Sequence, residues 1–177
     1  MITKDIKKLP KSVVEINITV PWVDMQPTFE ASQEKWIIEN IKKEIHKAKR
    51  KKDFIILVRY RGHPKQDQHP HWQIDTRIIS AIGRYKNLAY VTKTRMDGST
   101  SILRACKEMG FPDKKLRIVG VNTDSCVAET VNNLSRKLPS SKILLVTNAC
   151  HTDQQGRNRT GRKYISRRKN IKRIKVT

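Results

Sequence analysis

Three side chains in this 177-residue chain have types and positions suited to acyl chemistry. Asp24 follows an apolar run that begins near Val13, Lys93 ends another in "LAYVTK", and Cys126 sits in "GVNTDSCVAET", between an apolar run and a segment of helical periodicity. A thiol that loses its proton attacks a carbonyl carbon, a carboxylate can take that proton and return it to a leaving amine, and an ammonium group stabilises the anions. Singly, each residue has a plainer reading. Free cysteine is among the most buried residue types, an aspartate before a helix is usually a cap, and a strand-end lysine is usually solvated. Their joint placement is what points to chemistry, because ligands of an open parallel sheet bind beyond the carboxyl ends of its strands.

Periodicity along the chain shows which strands and helices carry these three residues. Residues 13–20, 54–60, 88–93, 116–121 and 142–149 are short, mostly apolar runs, as expected of strands covered on both faces. Between them lie stripes of helical spacing: Ile37, Ile41 and Ile45; Ile74, Ile78 and Ile82; Ile102, Leu103, Cys106 and Met109; and Val127, Val131, Leu134 and Leu138, closed by Pro139. This βαβα order predicts a mostly parallel sheet wrapped by helices. Pro21 interrupts the first run just before Asp24 and removes one ladder donor. Asp124 and Ser125 are expected to cap the helix that opens near Cys126, placing the sulfur at the positive end of the helix dipole, and a neighbouring Lys93 would favour thiolate further.

The length suits a single domain over residues 1–177. The net charge of +22, from 38 basic against 16 acidic residues, exceeds what solubility requires and suggests an acidic partner: nucleic acid, an anionic membrane surface or an acidic protein. The charge is dense in a block at 42–52 and again towards the end, where the strongly basic residues 154–177 read as a final helix and a short edge strand or as a tail; lysines on an edge strand guard it against pairing. Three cysteines without C-x-x-C spacing indicate neither a disulfide framework nor a thiolate metal site, and fit a reducing, cytoplasmic setting. No apolar stretch approaches a membrane span, and the first residues lack the apolar core of a signal peptide.

The segments "WVDMQPTF" (22–29), "VTKTRMDGS" (91–99) and "GVNTDSCVAET" (120–130) together resemble the isochorismatase-like cysteine hydrolases, which include nicotinamidases and other amide hydrolases. The resemblance runs from about residue 14 to 153. It implies an α/β, three-layer α-β-α fold with a six-stranded, mostly parallel, Rossmann-like sheet of order 3-2-1-4-5-6, and a catalytic triad of Asp24, Lys93 and Cys126. It further implies a cis peptide between Val121 and Asn122, aiming the Asn122 amide, beside that of Cys126, at a developing oxyanion. Cys126 would attack a small-molecule amide, releasing an amine and leaving a thioester for water to open. Vinyl-ether cleavage, performed by members that lack the cysteine, is disfavoured here. Relatives often form dimers or tetramers, so a homo-oligomer is expected.

Phe29 and Trp72 are candidate substrate contacts. The triad requires no cofactor. Nicotinamidases bind a metal through an Asp-x-His-Pro segment after the second strand; here Arg61 stands at the aspartate position, and "DQHP" nearby leaves His63, Asp67, His69 and His71 as weak candidate ligands for a divalent metal. The competing reading is a binding module, in which a catalytically residual hydrolase scaffold serves as a basic platform for nucleic acid or an acidic partner. A redox-sensing thiol at Cys126 is a third.

Overall fold

A computed structural model describes residues 19–62, 73–152 and 165–175. The apolar runs form six strands: β1 (Thr19–Val23), β2 (Phe54–Tyr60), β3 (Leu88–Lys93), β4 (Lys115–Val121), β5 (Lys142–His151) and β6 (Ile171–Ile174). They pair in the order β3-β2-β1-β4-β5-β6, every neighbouring pair parallel. Four helices connect them: α1 (Lys35–Arg50), α2 (Thr76–Ile82), α3 (Ser99–Met109) and α4 (Cys126–Lys137). The order reverses between β1 and β4, so the carboxyl ends of those two strands flank the switch point at which such sheets bind ligands.

Each face of the sheet has its own core. Ile37, Ile41 and Ile45 of α1, with Ile78 and Ile82 of α2, pack on Ile55, Leu57, Val119 and Val121. Ile102 and Cys106 of α3, with Val127, Val131 and Leu134 of α4, cover Ile56, Val58, Ile118 and Leu145 on the other face. Met109, expected in the α3 stripe, is instead exposed, because the left-handed Gly110 ends the helix immediately after it. A buried ion pair pins α1 to β4: the Arg117 guanidinium donates to Glu44 at 2.8 Å.

The described part of the first strand continues the expected apolar run past Val20. It spans Thr19–Val23 and runs through Pro21, while residues 13–18 lie outside the described segments. Proline is tolerated because β1 pairs continuously with β2, whereas on the β4 side the partners are Thr19, Trp22 and Val23, skipping Val20 and Pro21. The missing donor therefore falls in a gap of one ladder. At the other end of the chain β6 forms at Ile171–Ile174; the helix expected before it falls largely on residues 153–164, outside the described segments, and residues 165–170 are irregular.

Candidate active site

Asp24, Lys93 and Cys126 come from the ends of β1, β3 and the loop after β4, and the fold brings them together. The Lys93 Nζ lies 2.9 Å from Asp24 Oδ2, with both side chains almost wholly buried. The Cys126 thiol faces the same carboxylate and is 7% exposed. Among the described residues no donor is aligned well enough on either Asp24 oxygen for a hydrogen bond of full geometry. The contact with Lys93 is thus chiefly one of charge, and lone pairs remain for a proton arriving from sulfur.

Local backbone explains the convergence. Asp24 adopts φ +56°, a left-handed conformation that aspartate tolerates better than most residues, and this turns its side chain off the end of β1. Its amide still donates to the Val58 carbonyl at 3.0 Å. Two residues on, the Gln26 side chain both accepts from the Tyr60 amide (2.7 Å) and donates to the Tyr60 carbonyl (2.9 Å), continuing the β1–β2 pairing with a side chain in place of backbone. Met25 is fully buried between them, so "DMQ" divides its labour among a reactive group, a core plug and a clamp.

Lys93 is aimed by the loop that follows it. Its ammonium donates to the carbonyls of Arg95 (3.2 Å) and Met96 (3.0 Å) and stands 5.0 Å from the centre of the Tyr60 ring. That loop is tied to α4, because the Gly98 amide donates to the buried Thr130 hydroxyl at 2.9 Å. A β-carbon on Gly98 would press on both the Lys93 stem and Thr130, each at 3.3 Å.

Cys126 opens α4, so its own amide has no acceptor within the helix. Around it, the Ser125 and Val127 amides both donate to the Asn122 carbonyl, at 3.1 and 3.0 Å. Two expectations are corrected here. The Val121–Asn122 peptide is trans, as no cis bond occurs among the described residues; the chain turns instead through Asn122 at φ +63°. A left-handed asparagine achieves the reversal at less cost than a cis peptide without proline, about 3–4 kcal/mol. Nor does either expected cap act on the helix: Ser125 is the N-cap but makes no side-chain capping bond, and Asp124 accepts from the Thr152 hydroxyl at 2.7 Å.

The thiol is also not preset as thiolate. Burial, and next the Asp24 carboxylate, push Cys126 up to about 12 against the opposing pull of Lys93. Burial likewise raises Asp24 above the usual carboxylate value, partly offset by Lys93 and Cys126. The helix dipole and one ammonium do not outweigh desolvation beside a carboxylate, so the resting centre holds its proton on sulfur.

A model of the isochorismatase domain matches residues 19–156. The chain belongs to the isochorismatase family. Members of this family are hydrolases and include amidases such as nicotinamidase. Among solved structures, the fold resembles a nicotinamidase/pyrazinamidase from Bacillus subtilis (TM-score 0.73, 15% identity, covering 90% of this chain and 100% of that one). It also resembles the pyrazinamidase of Pyrococcus horikoshii solved in complex with zinc (0.69, 17%, 90% and 99%). The MAR1 ribonuclease of Caenorhabditis elegans is a third neighbour (0.71, 16%, 89% and 76%). A comparison with curated proteins finds no match.

Of the remaining expected contacts, Phe29 packs near Tyr60, their ring centres 6.4 Å apart. Trp72, His63, Asp67, His69 and His71 lie outside the described residues. Among the described residues no group of three or more His, Cys, Asp or Glu side chains is placed to hold a metal. No described helix is long and apolar enough to cross a membrane. Gln26, Tyr60 and Thr130 were not singled out by sequence. Tyr60 carried a usable signal, since it ends β2 beside the strands that supply the triad.

Proposed function

We propose that the chain hydrolyses a small-molecule amide, with Cys126 as nucleophile, Asp24 as general base and acid, and Lys93 as the charge that keeps Asp24 ionised. The observation that carries this reading is the 2.9 Å contact between Lys93 and Asp24, buried beside the Cys126 thiol. A carboxylate alone in that setting would take up a proton and cease to be a base; the ammonium opposes this. With the substrate carbonyl held against the Cys126 amide, sulfur attacks as its proton passes to Asp24. The protonated Asp24 then gives that proton to the departing amine as the C–N bond breaks, leaving a thioester. Water, deprotonated by Asp24, adds to the thioester; the acid leaves and the thiol is restored.

Proton transfer in step with attack is needed because the thiol is held far above neutral pH. Phe29 and Tyr60 would contact the substrate at the rim, and a divalent metal, as in the zinc-bound pyrazinamidase, would have to be held by residues of the 63–72 segment. The solved relatives carry names of two reaction classes, amidases and a ribonuclease. A thiol nucleophile with one shared acid–base carboxylate suits a carbonyl carbon, which favours the amidases. The deciding experiment is a screen of small amides for amine or ammonia release, with and without added divalent metal, on the native chain and on Cys126→Ala. Turnover that survives in Cys126→Ala would exclude the mechanism.

A further inference from the structure

Helices α1 and α2 lie side by side on one face of the sheet, and the charge on their outer surface is mostly positive; the exposed carboxylate of Glu39 in α1 pairs with Lys42 at 3.1 Å. Within residues 42–62 and 73–87 there are three carboxylates, and all are withdrawn from solvent: Glu44 pairs with Arg117, Asp75 with Arg77, and Asp53 is 3% exposed. The cations of the same stretch stay outside. Lys43, Arg50, Lys51, Lys52, Arg84 and Lys86 are all exposed. Between the helices runs a groove lined by Lys42, His46, Thr76, Arg77 and Ser80.

Part of this charge has a local explanation. Lys47, Lys49 and Arg50 stand in the last turn of α1, where cations complement the helix dipole, and Lys49 donates to the α2 carbonyls of Ala81 and Ile82 at 3.2 and 2.9 Å. That account does not extend to Lys43 a turn earlier, to Lys51 and Lys52 beyond the helix, or to Arg84 and Lys86 after α2. The crowding is felt within the fold: burial, and then the neighbouring charges of Arg117, Lys51 and Arg50, hold the Lys47 ammonium below its ordinary value. The exposed cations of this surface outnumber its exposed carboxylates, and such like charges repel one another, a repulsion that a polyanion relieves.

We infer that the outer face of α1 and α2 is a docking surface for nucleic acid, whose phosphates lie along the groove. Ammonium, guanidinium, imidazole and hydroxyl groups are the side chains that contact phosphate oxygens. A membrane surface would call for apolar side chains among the cations. Of the large exposed apolar residues of the described chain, Trp36, Tyr90, Met96 and Met109, only Trp36 belongs to α1 or α2, in the first turn of α1 with its ring against His151. The absence of an apolar centre disfavours a protein partner on the same ground. The surface extends to the loop entering β2, at the opposite end of the sheet from the triad, and the inference does not depend on the amidase reading.

The test is fluorescence anisotropy of the full chain with a labelled single-stranded RNA and a DNA duplex of equal length. Affinity should fall about a hundredfold between about 50 and about 200 mM salt if some four phosphates are neutralised. Substituting Lys43, Arg50, Lys51 and Arg84 together by Gln should weaken binding at low salt at least about tenfold and flatten the salt slope. The same change at Arg104, Lys107, Lys114 and Arg136, exposed on the α3–α4 side, should leave affinity within about twofold. Unchanged circular dichroism shows that both variants are folded. Equal weakening by the two sets would overturn the surface, as would polyglutamate or anionic vesicles binding as tightly as RNA. Cys126→Ala should bind like the native chain, so loss of turnover and loss of binding are read separately.

Discussion

Gly120 of β4 and Val23 of β1 meet backbone to backbone. A β-carbon on Gly120 would lie 2.7 Å from the Val23 nitrogen and overlap its carbonyl oxygen, and Gly120 has φ +139° at an irregularity of the β4–β5 ladder. This close approach sets Asp24, the next residue of β1, against the turn that carries Cys126. Gly120→Ala should therefore cost at least about 2 kcal/mol of stability, from backbone strain and overpacking, and should abolish activity in whatever protein still folds. Urea unfolding together with an amidase assay checks both; an alanine variant with native stability would mean the strands can separate freely.

Breaking the buried pair should cost more than deleting it. Lys93→Met leaves Asp24 without its counter-charge, and a destabilisation of about 3–5 kcal/mol is expected. The double variant Asp24→Asn, Lys93→Met removes both charges and should recover most of that loss. Additive single effects in the double-mutant cycle would show that the two groups do not interact.

Thr130 should act on rate through Lys93. Thr130→Val leaves the Gly98 amide buried without its acceptor, an expected loss of about 1–3 kcal/mol, and loosens the loop whose carbonyls aim the ammonium. The turnover number should fall more than KM changes, and Thr130→Ser should restore it. A Val variant that is destabilised yet turns over normally would confine Thr130 to a structural role.

The pH behaviour follows from two raised pKa values. With Cys126 held at about 12, its alkylation by iodoacetamide should be slow at neutral pH and climb throughout the alkaline range. The acid limb of kcat/KM should lie above the ordinary aspartate value of 3.8, because Asp24 must be ionised to act as base. For stability the sign is opposite to that of a surface-paired carboxylate. A carboxyl raised by the fold binds its proton more tightly when native, so its contribution is full below 3.8 and is lost as pH rises through the folded value. Asp24→Asn should remove that pH dependence from the unfolding curve. Rapid alkylation of Cys126 at pH 7 would contradict the proton's placement on sulfur.

Much of the architecture was legible because burial on both faces leaves short apolar runs, and helices on a sheet repeat their apolar residues every three or four positions. "FIILVRY" announced β2 to the residue, and Ile37, Ile41 and Ile45 announced the buried face of α1. That the first strand continues through Pro21 to Val23 was not legible, and only the pairing with β2 and β4 shows how that proline is accommodated.

At the site, the reactive groups and their places at or just past strand ends could be read without coordinates: a carboxylate, an ammonium and a thiol, at Asp24, Lys93 and Cys126. The sequence could not determine their protonation, since a pKa depends on how far water is excluded and on which charge stands nearest. Nor could it show the trans turn at Asn122, the clamp from Gln26 to Tyr60 or the tie from Thr130 to Gly98. Those were decided by tertiary structure, because each depends on backbone from distant parts of the chain meeting within hydrogen-bond reach, and residue order alone does not fix that separation.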